Sequence, residues 1–187
     1  MSTTTSARAR SENADAVGLV VALLVRFAEI ATISAHPTDG TIVLSFVIRR
    51  RLDRASRSSL RDALVEHVRT LHAIAGWEAR VLGVTCEVDD GITFARVTRD
   101  AASLSRDELV LLTGLFAERF GEALLCSALD VDAAEDEAVP DDELVDYAIE
   151  ALRDPSLSKS LVGFREEKRV LVYFSKARKK TKTAGRS

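Results

Sequence analysis

Two cysteines in 187 residues, Cys86 and Cys126, are too few for a disulfide framework, and their forty-residue separation matches no metal-ligand spacing. That usage fits a reducing compartment, and the cytoplasm is the expected location. Nine glycines are scattered along the chain, with no glycine-rich phosphate loop and no nucleotide fingerprint among them. Aromatic residues make up 5% of the chain, which leaves little to stack on bases beyond Phe164, Tyr173 and Phe174. The apolar run at 16–25, preceded by Arg8 and Arg10, imitates a signal peptide. It lacks a cleavage site, passes through Arg26 and Glu29 into the next element, and is shorter than the roughly 20 residues a bilayer requires.

What is present is charge, unevenly distributed. The formal net charge is -3, so the molecule as a whole is neither a polycation nor an acidic solvating chain. Residues 130–154 nevertheless hold eleven acids against one base, Arg153, while 168–187 hold eight bases and no acid. A hydrophobic content of 47% is enough for one full core.

The clearest pattern is the two-residue alternation at 41–48. Ile42, Leu44, Phe46 and Ile48 fall on one face, and Thr41, Val43, Ser45 and Val47 on the other. With residues 30–36 and the turn His36-Pro37-Thr38-Asp39-Gly40, this predicts a β-hairpin. Burying four such side chains is worth roughly 1.5–3 kcal/mol each, so the other elements read as its cover. A helix is expected over about 12–27, capped by Ser11 or Asn13 and apolar nearly all round; its β-branched content keeps a strand open as the alternative. Burial on more than one side or a dimer interface would each account for its second apolar face.

A second helix is expected to open at Ser59 with Asp62 completing a capping box, and to stop at Gly76. A hairpin over 79–88 and 92–99 follows, turning at Asp89-Asp90-Gly91. Ser105 to Glu108 reads as another capping box, stapled by Leu104 and Leu109, for a helix ending near Leu125 and Cys126. Pro140 stands at a first helical position, with Leu144, Val145, Ala148, Ile149 and Leu152 as an apolar stripe and Asp154-Pro155 as its stop. A last hairpin is expected over 161–164 and 169–174.

These elements predict an α+β fold in which two hairpin-plus-helix units build a four-stranded antiparallel sheet with helices on one face, and a C-terminal helix and hairpin are extra. The expected organisation is a disordered N-terminus at 1–11, a core domain at 12–126, an acidic linker at 127–139, the extra helix and hairpin at 140–175, and a disordered basic tail at 176–187. By order of elements the chain looks similar to the roadblock and longin-like scaffold domains, which dimerise and bind partners. The phrases Val25-Arg26-Phe27-Ala28-Glu29-Ile30-Ala31-Thr32-Ile33 and Gly163-Phe164-Arg165-Glu166-Glu167-Lys168-Arg169-Val170-Leu171-Val172 resemble an uncharacterised family of conserved bacterial proteins. That resemblance implies no activity, cofactor or catalytic residue.

No nucleophile sits on a glycine-flanked turn, and Cys86 and Cys126 read as small hydrophobes. His67 and His72 are separated by about 140° on their helix and do not converge on one ion; together with His36 they read as surface or turn residues. No catalytic motif, cofactor or metal site is expected, and no small-molecule substrate is evident. A deep pocket at Glu87, Arg96 or His72 would revive an enzyme reading. The candidate anion- or nucleic-acid-binding residues are Arg49, Arg50, Arg51, Arg54 and Arg57, with Arg61 beside them, and Lys176, Arg178, Lys179, Lys180 and Lys182 in the tail. The functional expectation is a non-enzymatic interaction or regulatory module that forms a homodimer through its N-terminal helix or C-terminal hairpin. RNA or ribosome association through the arginines and the tail is the alternative.

Overall fold

The computed structural model describes residues 16–126, 140–153, 160–166 and 169–175. The expected N-terminal segment 1–11 and its caps, the acidic linker 127–139, the Asp154-Pro155 stop and the tail 176–187 lie outside these residues.

The alternation at 41–48 produces the strand it predicts. β1 (Thr32–His36) and β2 (Thr41–Ile48) pair in register Ile33 to Leu44 across a short 3-10 turn, Pro37–Asp39. Gly40 closes that turn at φ 61°, a left-handed conformation that costs glycine little. β3 (Leu82–Asp89) and β4 (Ile92–Asp100) form the second hairpin. Asp90 and Gly91 both have positive φ, the requirement of a two-residue turn whose twist matches its strands.

The last hairpin, β5 (Ser160–Glu166) and β6 (Arg169–Ser175), joins the same sheet. β5 pairs with the free edge of β1, Ala35 opposite Leu161, and completes a six-stranded antiparallel sheet in the order β3-β4-β2-β1-β5-β6. The sheet is therefore wider than the four strands expected, because β1 leaves an unpaired edge that only a later strand can cover.

Among the described residues, four helices cover one face. α1 spans 16–26 among the described residues and settles the open question there in favour of helix. Its Val20 and Leu24 pack on Gly163 of β5. Leu19, Leu23 and Leu24 are all buried within the chain, so its second apolar side is largely enclosed. α2 (Arg54–Ala75) lays Leu60, Leu64 and Val68 on the core. α3 (Arg106–Phe120) stacks Phe116 on Phe46 of β2, with ring centroids 3.8 Å apart and planes 7° apart. α4 (Asp142–Leu152) buries Val145, Ala148, Ile149 and Leu152, and Arg106 of α3 pairs with its Asp142 and Asp146.

Helix starts and stops differ from expectation where a stronger cap competes. α2 begins five residues before Ser59, because Asp53 accepts the Ser56 N–H at 2.7 Å. Asp62 instead accepts from the Ser58 hydroxyl and pairs with Arg61. At α3, Ser105 does cap the Glu108 N–H, but the Glu108 carboxylate turns inward rather than back to Ser105. α3 stops at Phe120, where Gly121 takes φ 48°. Leu124 then bridges to Ile48, so Cys126 follows an extended segment rather than ending a helix. Pro140 precedes the cap of α4, which is Asp141 accepting the Leu144 N–H at 2.8 Å.

Candidate functional site

The arginine cluster divides between two neighbourhoods. Arg49, Arg50 and Arg51 are exposed where the chain leaves β2. Arg49 Nη2 donates to the Glu122 carbonyl at 2.6 Å, and the Arg50 guanidinium lies 5.2 Å from the centroid of Phe120. Two of the three therefore tie the β2 exit to the end of α3. Arg54 and Arg57 begin α2 and, with Arg61 one and two turns further on, line a cavity of about 480 Å³. Its other walls are Ser58 and the Val84, Thr85 and Cys86 segment of β3. Lys176, Arg178, Lys179, Lys180 and Lys182 lie outside the described residues.

Cys86 borders this cavity without being a convincing nucleophile. Burial pushes its thiol up, and the Arg57 and Arg61 charges oppose that shift without cancelling it. The Cys126 thiol is likewise raised, by burial and by Glu29, against Arg165 and Arg49. Attack requires the thiolate, which both environments disfavour.

A polar network at the other end of the helical layer was not legible as a site. Arg99 and Glu108 are fully buried and paired, Nη2 donating to Oε2 at 3.0 Å while Nε meets Oε1. Arg99 also donates to Asp100, to the Val81 carbonyl and to Ser103. His72 Nε2 stands 2.8 Å from Glu108 Oε2, which identifies Nε2 as the donor. Its Nδ1 is buried without a hydrogen-bond partner among the described residues. The ring borders a cavity of about 220 Å³ whose walls include Trp77, Ser103, Ser105 and Asp107. The network holds α2, β4 and α3 together. Its signal in the sequence was Arg99 itself, a charge at the inward phase of a strand after Thr93, Ala95 and Val97.

The expectation of ordinary surface or turn histidines therefore fails at His72. It holds at His67, which is exposed and bonds the Ala63 carbonyl within its own helix, and His36 sits beside Ser160 across the β1–β5 pair. Glu87 and Arg96 form an exposed ion pair at 2.7 Å. No cluster of three metal-ligating side chains occurs among the described residues, and no helix among them is long and apolar enough to cross a membrane.

The sheet face opposite the helices carries a different pattern. Strand alternation turns Val43 and Val47 of β2, Phe94 of β4, Val162 and Phe164 of β5, and Leu171 and Tyr173 of β6 away from the core. None of them joins the packed core cluster. Phe164 and Tyr173 stack across the last hairpin, with centroids 5.7 Å apart, and Tyr173 is 55% exposed. Between these residues lie Thr32, Ser34, Ser45 and Thr98, all uncharged. Charge on this face lies in the Glu87–Arg96 pair, Arg96 standing opposite Ser45, and in Glu166 opposite Arg169 at the end of the last hairpin.

No family model, curated protein or solved structure matches this chain.

Proposed function

We propose that the chain is a non-enzymatic interaction module that associates with a second copy of itself through the open face of its sheet. The observation that carries this reading is the row of apolar residues from Val43 to Tyr173 outside the packed core, with charge on the face paired as Glu87 with Arg96 and as Glu166 opposite Arg169. The centres of protein interfaces are depleted of charge, and a two-fold interface brings one patch against itself, so near-neutrality is what self-pairing needs. Six strands about 4.8 Å apart span roughly 24 Å, and seven residues along them about 24 Å. An area of roughly 500–600 Å² per copy is at the low end of specific interfaces, so the dimer dissociates on dilution. With α1 largely enclosed, the C-terminal hairpin is the part of the expected contact that this reading retains. Two free thiols fit a cytoplasmic setting.

Association with RNA is the second reading, favoured by the stacked Phe164–Tyr173 pair on an open antiparallel sheet. Sedimentation across a concentration series tests the first reading. Binding of labelled single-stranded RNA by the full chain and by a version ending at Ser175, at two salt concentrations, tests the second. Affinity that falls steeply with salt and disappears on truncation would favour RNA.

A further inference from the structure

The cavity between the start of α2 and β3 is lined, among the described residues, by three arginines and no carboxylate. Arg54 makes no hydrogen bond or ion pair with any described residue. Arg57 reaches only two backbone carbonyls, those of Asp53 and Cys86, both at 3.4 Å. Arg61 alone has a carboxylate partner, Asp62 at 3.3 Å from Nε, and its Nη2 donates to the Ser58 hydroxyl. The first turn of α2 contains no acidic residue. Three like charges therefore line one small space; the helix dipole opposes Arg54 and Arg57 at its start, and the carboxylates nearby, the Asp53 cap and Asp62, are two against three.

A bound anion removes the conflict. Guanidinium groups present planar pairs of N–H donors matched to phosphate oxygens, and the Thr85 hydroxyl lies in the same lining. A volume of about 480 Å³ is in the range of small-ligand pockets, and the three cations fall within two turns of one helix. Both features favour a compact ligand over a polymer backbone. We propose that the cavity lined by Arg54, Arg57, Arg61, Ser58 and Thr85 binds a small phosphorylated molecule through its phosphate groups. The site lies at the β3 edge of the sheet and is separate from the self-association proposed for the open face.

Calorimetric titration of the full chain with pyrophosphate at low ionic strength tests this. Saturable binding is expected, weakened about tenfold or more in Arg57→Gln, since a charge-assisted hydrogen bond is lost. It should vanish in the Arg54→Gln/Arg57→Gln/Arg61→Gln variant and stay unchanged in Arg51→Gln, whose side chain is exposed outside the cavity. None of these side chains is buried, and an unchanged circular dichroism melt verifies the fold of each variant. Amide shifts on titration should map to Ser58, Thr85 and Cys86. Absence of saturation, or equal affinity in the triple variant, would overturn the proposal. So would single-stranded RNA binding that depends on the three arginines while pyrophosphate fails to bind. Sedimentation of the triple variant separates this outcome from the self-association reading, because the two sites do not overlap.

Discussion

Arg99 and Glu108, nine residues apart in the chain, pair with both side chains at zero exposure. One closes β4 and the other opens α3, so their contact fixes the loop between the second hairpin and the third helix. His72 joins them from α2. Burial alone would pull the Arg99 guanidinium down, but Glu108 and Asp100 more than offset it and raise it. Removing one partner leaves the other charged in the core, at a cost of about 3–5 kcal/mol. Glu108→Leu and Arg99→Met should each lower the unfolding free energy by about that much, read as a lower urea midpoint. The double variant should be less destabilised than the sum of the two single changes, because the Arg99–Glu108 pair is lost only once, although Asp100 still loses Arg99. Additive losses in the double variant would contradict the coupling.

Asp100 supplies the pH dependence. Burial pushes its carboxyl up, but donation from the Ser103 hydroxyl, the Val81 N–H and Arg99 outweighs that and holds it well below the usual carboxylate range. A depressed carboxyl contributes stability that is fully present above its unfolded value, about 4, and is lost as pH falls toward the folded one. Wild type should therefore lose stability steeply below about pH 4. Asp100→Asn should be less stable than wild type at neutral pH, and the gap should narrow as acid is added. Urea titrations at stepped pH values measure both; a gap of constant size would refute the assignment.

Gly163 is required by the docking of α1. A β-carbon there would collide with Val20 Cγ1 and sit 3.0 Å from Leu24 Cδ1. Gly163→Ala should cost about 1–3 kcal/mol by overpacking, and hydrogen exchange should rise first in α1. Gly83, also on a strand, meets nothing closer than 3.8 Å. Gly83→Ala is thus the control, and equal losses at the two positions would count against the close approach.

The strands were legible because a half-buried strand writes its own phase. Ile42 to Ile48 and the Val84, Cys86 and Val88 series all turn inward as their alternation requires. The pairing of β1 with β5 was not legible, since it joins Ala35 to Leu161 across most of the chain and leaves no local mark. Glu108 misled the reading because one position fits two roles, the third residue of a capping box and a buried acid. Its inward partner, Arg99, broke the alternation of β4 and was the clue to the second role. Of the candidate site, Arg54 and Arg57 could be named from charge against the helix dipole, but the β3 wall that makes a cavity of them depends on tertiary packing. Alternation also named the residues of the outer sheet face. Which face the helices choose is settled by Phe116 on Phe46 and by α1 on Gly163.

The most direct measurement is sedimentation velocity on the wild type and on Val43→Lys over a wide concentration range. Val43 lies in β2, near the centre of the sheet's strand order, on the open face, partly exposed and outside the core, so lysine there leaves the fold intact. Self-association through this face predicts a wild-type dimer that dissociates on dilution and a variant that stays monomeric with an unchanged melting temperature. A wild type that is monomeric throughout, or a variant that dimerises as well as the wild type, would contradict it.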